Sequence, residues 1–357
     1  MTTAAHNLST NGHTKPIGKP RLGFVGVGWI GRNRMQAIVD SGAAEVVAIA
    51  EPSNDMTIAA QAIAPEAEIE VSFKDILRSE LDGVVIATPS ALHAEQAITA
   101  LERGLAVFCQ KPLARNASET WQVVEAARSA DKLLGVDLSY RHLDGVAAIK
   151  ELIATGELGD IFAVDLVFHN AYGPDKKWFY DPVLSGGGCL VDLGIHLVDL
   201  AMWMLDYPAV FDVSGSVLSH GKPLVDRSRE VEDYAAAQFK LGGDVTARLA
   251  CSWNLNAGCD AVIEASFFGT KGAASIKNVD GSFFEFAAER MSGTTKTRLD
   301  DPEQQSFDWD WGGRAVVAWA KRLTGSNHFD RSATSLIDVA EVIDQIYASA
   351  DRHLLSK

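Results

Sequence analysis

The residues best suited to chemistry lie in one apolar stretch, from Ser185 to Leu205, which carries Asp192, His196 and Asp199. At the ~100° per residue of an α-helix, these three side chains fall within about 60° of one another, on a helix that is otherwise apolar almost all round. Buried carboxylates and imidazoles need hydrogen-bonded partners or they cost several kcal/mol. Three arrangements satisfy that need. One is an acid–base pair, in which Asp192 orients His196 and His196 takes a proton from a hydroxyl group. Another is a metal site with three ligands on one face. The third is a structural network with every polar atom paired. Gly186, Gly187 and Gly188, just ahead of this stretch, permit close backbone approach, read here as approach to a substrate.

Two other constellations narrow the choice. Gly26, Gly28 and Gly31 form G-x-G-x-x-G between an apolar run and a helical stretch that includes Trp29 and Ile30. In that setting the first glycine makes a tight turn, the second admits a pyrophosphate and the third lets helix and strand pack closely. Glu51 ends the next apolar run, about twenty residues on, where a carboxylate accepts hydrogen bonds from ribose hydroxyls. A carboxylate there repels a 2′-phosphate, so the expected cofactor is NAD, while Arg32 and Arg34 keep NADP open. Gln110-Lys111-Pro112 follows a third apolar run, at the edge where open α/β sheets bind ligands. Lys111 there can bind a substrate oxygen and favour its alkoxide character. Thr88-Pro89, with His93, marks a comparable turn one unit earlier and is expected to wall the nicotinamide pocket. With a hydride-transfer cofactor in the same chain the acid–base reading leads, and no metal is assigned.

These groups need elements to position them. Leu22–Gly26, Glu45–Glu51, Asp82–Thr88, Leu105–Cys109 and Leu133–Asp137 are short apolar runs that alternate with helix-like segments. That rhythm is the signature of βαβ units in a doubly wound parallel sheet. After about Tyr140 the pattern turns to strand alternation in 161–169, 210–218, 234–241, 245–253 and 261–268. The expected fold class is therefore α/β: a Rossmann domain over 21–140, then an α+β domain over 141–332 with a large open mixed or antiparallel sheet. A helix over 333–355 can return to the first domain. Residues 1–20 are polar, lack the apolar stretch of a secretory signal, and read as a disordered leader on a cytoplasmic protein.

Composition excludes several classes of function. The 357 residues are 47% hydrophobic and 22% charged, ordinary globular values. With 47 Asp and Glu against 32 Lys and Arg, the net charge of −15 disfavours nucleic acid and anionic membrane as partners. Charge or glycine breaks every apolar run before the ~18 residues of a membrane span. The four cysteines match neither a disulfide scaffold nor a zinc pattern.

Together these motifs resemble the glucose–fructose oxidoreductase/inositol dehydrogenase family, Gfo/Idh/MocA, over nearly the whole chain after the leader. Gln110-Lys111-Pro112 resembles its E-K-P motif, and Gly186–Gly188 followed by Asp192, Gly194, His196 and Asp199 resembles its substrate-side helix. The resemblance implies nicotinamide-dependent oxidation or reduction of a sugar, a cyclitol or a relative, with Lys111, Asp192 and His196 as the catalytic set. It also implies a C-terminal sheet that forms a homodimer or homotetramer. Tyr140, Arg141, Asn170, Trp178 and Tyr180 are candidates for shaping the sugar pocket. Three alternatives stand beside dehydrogenation: an NAD-dependent glycosidase, an aldose–aldose oxidoreductase with trapped cofactor, and a non-catalytic sensor. Gln110 departs from the family's glutamate, and Gln110→Glu is expected to leave the fold intact and change kcat.

Overall fold

The computed structural model describes residues 18–300 and 310–355. The leader expected over 1–20 lies almost wholly outside them. The first unit runs β1 Arg21–Val25, α1 Trp29–Ser41, β2 Glu45–Ala50, α2 Asn54–Gln61, β3 Glu68–Glu70, α3 Phe73–Ile76, β4 Gly83–Ile86, α4 Ser90–Glu102, β5 Ala106–Cys109, α5 Ala117–Ala130 and β6 Leu134–Val136. Its six strands are all parallel, in the order β3-β2-β1-β4-β5-β6. The order reverses between β1 and β4, which opens a crevice at the carboxyl ends of the strands. The central strands β1, β4 and β5 are apolar and buried over nearly their whole length because both faces are covered, while the edge strand β3, Glu68-Ile69-Glu70, is largely exposed. Phe24, Val85 and Phe108 pack with Met35 and Ile38 of α1 on one side, and Val84, Ile86 and Val107 pack with α4 and α5 on the other.

The second unit runs α6 Val146–Ala154, β7 Ile161–Asn170, α7 Pro182–Ser185, α8 Ile195–Met204, β8 Val210–Ser219, β9 Lys222–Pro223, β10 Tyr234–Leu241, β11 Val245–Ser252, β12 Ala261–Gly269, β13 Ala273–Asn278, β14 Phe286–Ser292 and β15 Thr295–Arg298. These strands form one nine-stranded mixed sheet, β15-β14-β13-β12-β7-β11-β10-β8-β9, in which only β7 and β11 run parallel. One face carries Val164, Leu166, Phe239 and Leu249 and packs on α8 in a single core. The five strands expected from alternation are all present. β9 and β13–β15 were missed, and β9 and β15 show why: they are exposed along their whole length, so they have no apolar face to give a signal.

Two helices complete the chain, α9 Asp310–Gly325 and α10 Ser335–Leu355. The sequence placed 310–325 with the second unit. Instead Val316, Trp319 and Leu323 of α9 join the core of the first sheet beside α1. Their helical spacing was visible in the sequence and went unread. The tail helix reaches the core of the first unit as expected, but only with its first turn. Val339, Val342, Ile343 and Ile346 of α10 belong to the second core, while Leu336 and Ile337 rest against the first. It therefore bridges the two units. Pro182–Met204 is long and apolar enough to span a membrane by length and composition, contrary to the sequence reading, but most of it is buried inside the second unit.

Candidate active site

The glycine turn does three different things at three positions. Gly26 has φ +81°, and a Cβ there would lie 2.7 Å from the Ala87 carbonyl oxygen. A Cβ on Gly31 would lie 2.3 Å from the Gly26 oxygen, which is the close helix–strand contact expected of it. Gly28 alone faces open space, with nothing within 4 Å of a Cβ. It also begins α1 without a side-chain cap, so the first backbone N–H groups of the helix are left for a ligand. That cradle fits a dinucleotide pyrophosphate. Glu51 Oε2 accepts a hydrogen bond from Val27 N at 2.8 Å and Oε1 accepts one from Ser53 N at 3.0 Å, which fixes the carboxylate at the second strand end.

Gly26, Gly28, Trp29, Ile30, Glu51, Thr88, Pro89, His93, Gln110 and Lys111 all line one cleft of about 870 Å³. Gly31 lies beneath it, at the helix–strand contact. His93 bridges the two neighbouring turns, its ring nitrogens 2.7 Å from the carbonyl oxygens of Pro112 and Thr88. Burial pulls its pKa below the ordinary histidine value. His93 thus ties the ends of β4 and β5 together as well as walling the pocket.

At the other end of the cleft lie Tyr140, Trp178, Asp192 and His196. Lys111 Nζ donates to Asp192 Oδ1 at 2.6 Å and to the Asp192 carbonyl oxygen at 2.7 Å. Asp192 Oδ2 accepts from Trp253 Nε1 at 3.1 Å. The sequence reading paired Asp192 with His196, and this is corrected: the carboxylate orients the lysine instead. The helix explains the change. Leu190–Gly194 form a wide π turn ahead of α8, so Asp192 does not keep the angle that ~100° per residue gives. His196 packs against the Tyr140 ring at 4.8 Å between centroids, and its Nδ1 is buried with no hydrogen-bond partner. Burial first, then the charges of Lys111 and Arg34, hold its pKa well below 6.5. A neutral imidazole beside a cationic lysine is the state that a proton acceptor needs.

Asp199 takes no part in this cluster. It is 1% exposed and held by the Arg141 guanidinium, whose Nε donates to Oδ2 at 2.7 Å and whose Nη2 donates to Oδ1. Arg141 was a candidate for the sugar pocket, but the buried carboxylate takes its charge, and its guanidinium lies over the rings of Trp203 and Tyr207. Asn170 ends β7 outside the cleft lining. The three polar residues of the helix therefore do not converge. Among the described residues no group of three His, Cys, Asp or Glu side chains is placed to hold a metal ion.

All three glycines of the triple are pressed against protein, and of the three Gly187 also lines the cleft. A Cβ on Gly188 would lie 1.9 Å from the Glu232 carbonyl oxygen, and one on Gly187 would lie 2.1 Å from the Tyr347 hydroxyl. Sequence reasoning missed Glu232. Its Oε1 accepts from Gly188 N at 3.0 Å, Leu190 N at 2.9 Å and the Tyr347 hydroxyl at 2.8 Å. It thus satisfies the N–H groups that open the helix carrying Asp192 and His196 and ties them to α10. Nothing in its local sequence gave it away.

Gln110 also finds its reason. Its Nε2 donates to Asp137 Oδ2 at 2.5 Å, and Arg34 Nε donates to the same oxygen at 2.6 Å. The negative charge sits on Asp137, and the neutral amide is its partner. Gln110→Glu would press two buried carboxylates together, so the expectation of an intact fold is revised. The variant is expected to lose about 1–3 kcal/mol of stability at pH 7. Protonation of the introduced carboxyl relieves the repulsion, so the loss should shrink as pH falls and grow as pH rises. Thermal denaturation at pH 5 and pH 8 checks this, and equal losses at both would overturn it.

Comparison with known proteins places these motifs. Residues 20–138 match the model of an oxidoreductase family with an NAD-binding Rossmann fold, and residues 146–275 match the GFO/IDH/MocA C-terminal domain. The D-glucoside 3-dehydrogenase of Escherichia coli (strain K12) is 30% identical over 213 residues, 56% of this chain and 60% of its own length. A putative UDP-kanosamine synthase oxidoreductase subunit of Amycolatopsis mediterranei is 28% identical over 351 residues, 92% of this chain and 96% of its own. Levoglucosan dehydrogenase in complex with NADH shares the fold, with a TM-score of 0.80 at 19% identity, covering 94% of this chain and 98% of that one. With both halves matched in order and the glycine cradle and lysine turn at one cleft, the chain belongs to the Gfo/Idh/MocA family of NAD(P)-dependent oxidoreductases.

Proposed function

We propose that this chain interconverts a secondary alcohol and a carbonyl on a carbohydrate ring, with NAD as its preferred cofactor. The observation that carries the reading is one cleft with a pyrophosphate cradle at one end and Lys111, Asp192 and His196 at the other. The names of the relatives, D-glucoside 3-dehydrogenase and levoglucosan dehydrogenase among them, support a sugar substrate. Gly26, Gly28, the start of α1 and Glu51 would hold the dinucleotide, whose nicotinamide supplies the hydride acceptor or donor. Asp192 fixes the Lys111 ammonium, and the ammonium binds the reacting oxygen and favours its negative charge. Neutral His196 takes the hydroxyl proton during oxidation and returns it during reduction. Trp253 holds the second oxygen of Asp192, so the lysine has one direction.

Cofactor preference follows from charge. Glu51 repels a 2′-phosphate, Arg32 Nη1 donates to the Val27 carbonyl oxygen at 2.9 Å, and Arg34 pairs with Asp137. Binding of NADH is expected to exceed that of NADPH by roughly 10–150-fold. Fluorescence titration with each nucleotide checks it, and equal affinities would sink the preference. A panel of aldoses, glycosides, inositols and sugar acids with each cofactor, followed at the reduced-nicotinamide absorbance, tests the reaction itself. No turnover of any of them would overturn the reading.

The outer face of the nine-stranded sheet supports self-association. Across paired strands it presents Lys277, Glu264, Val167, Ala250, Ala236 and Ser216 in one row. Small and short side chains at its centre make a flat surface that a second copy can cover. Light scattering at micromolar concentration is expected to give a dimer or tetramer, and a monomer would count against it.

A further inference from the structure

The substrate end of the cleft is far richer in aromatic rings than the reacting groups require. Trp178, Phe179, Phe283 and Phe284 line it, from the loop after β7 and the loop between β13 and β14. The rings fall into two groups, Trp178, Phe179, Tyr180 and Trp253 in one and Phe283 with Tyr172 in the other. Trp178 stacks on Phe179 at 3.8 Å and 21°, and Phe179 meets Trp253 edge-on at 6.4 Å and 88°. Tyr180 reaches Trp253 at 5.6 Å. Trp253 is the residue whose indole nitrogen binds Asp192, so the first group begins one side chain away from the lysine that holds the reacting oxygen. Tyr172, half exposed, extends the second group against Phe283 at 6.0 Å.

We infer that these rings line a subsite for an aromatic aglycone, and that the substrate is an uncharged aryl glycoside rather than a free sugar. The inference rests on the carbohydrate reading above and deepens it. A free sugar can lay one C–H face on one ring, but hydroxyl groups set against the remaining rings would lose their water without replacement partners. A planar apolar group offset-stacks on such rings and gains from leaving water. One ring is enough to cover one face of a sugar, but rings from two loops extend the apolar lining beyond the area of a single sugar ring. Charge separates the aryl glycoside from a nucleotide sugar. Among the described residues, the cations lining the cleft beyond the reacting groups are Arg34, paired with Asp137 at 2.6 Å, and Lys176, paired with Asp175 at 2.8 Å. A diphosphate would find no unpaired cation among them, on a chain of net charge −15.

The test compares methyl and phenyl β-D-glycosides of the gluco, galacto and xylo series on the full-length protein. Calorimetric binding with NADH present, and kcat/KM with NAD, are both measured. The phenyl glycoside of the accepted series is expected to bind about tenfold tighter than the methyl glycoside, with a matching gain in kcat/KM. Trp178→Ala and, at an exposed loop position, Phe284→Ala are each expected to narrow the phenyl-to-methyl ratio at least about threefold. Equal binding of the two glycosides would overturn the subsite, as would a ratio that neither variant changes. Tighter binding of a UDP-sugar than of any phenyl glycoside would overturn it in favour of a charged substrate. Phenyl glycosides that bind tightly but are not oxidised would leave the subsite standing and refute the dehydrogenase reading instead.

Discussion

His196→Asn is expected to lower kcat by roughly 10²–10⁴-fold, the scale of losing a general base, while leaving nucleotide affinity unchanged. The ring lies in the cleft beside Tyr140, away from the glycine cradle, so cofactor binding has no reason to follow it. The pH profile of the unaltered protein carries a second expectation. Burial and the charges of Lys111 and Arg34 hold the His196 pKa well below 6.5, so the ring stays neutral through that pH. Only the neutral ring accepts a proton. Consequently kcat/KM for oxidation should be flat across pH 6.5 and fall only in more acid solution, where His196 finally charges. In His196→Asn that acid limb should disappear along with most of the turnover. A variant with near-full kcat and an unchanged acid limb would make His196 a packing residue.

Lys111→Met is expected to cost about 10²–10³-fold in kcat, the usual effect of removing one preorganised group from a developing oxyanion. It should also leave a specific trace on its neighbour. The lysine charge is one of the causes that depress the His196 pKa, so removing it should move the acid limb of the oxidation profile toward neutral pH. A lysine with a purely structural role would lower stability without moving that limb. Some loss of stability is expected as well. Asp192, mostly buried, would keep the Trp253 hydrogen bond but lose its cation, at about 1–3 kcal/mol. Denaturant unfolding measures that cost, and the pH series separates it from the catalytic effect.

Much of this molecule was legible without coordinates. Short apolar runs alternating with helical segments gave the parallel sheet, because strands buried on both faces must be apolar throughout. Strand alternation after Tyr140 gave the second sheet, because one face is packed and the other is not. The glycine turn was readable residue by residue, since each glycine answers a separate steric demand that the local chain imposes. Lys111 was legible from its place at a strand end, and Asp192 and His196 from their polarity on an apolar helix.

Partnership was another matter. Lys111 and Asp192 are 81 residues apart, and Gln110 and Asp137 are 27 apart. Asp199 turned to Arg141, 58 residues away, and not to the histidine one helical turn before it. Glu232, 42 residues past Leu190, caps the helix start from another part of the chain. The sequence by itself determined most of the elements, the cofactor cradle and the identity of the reacting side chains, because periodicity and turn chemistry act over a few neighbouring residues. Which carboxylate meets which cation was decided only by the docking of α8 against the second sheet and of the two units across the cleft. A buried charge takes the partner that packing brings within hydrogen-bond distance, and spacing along one helix fixes only the direction in which it sets out.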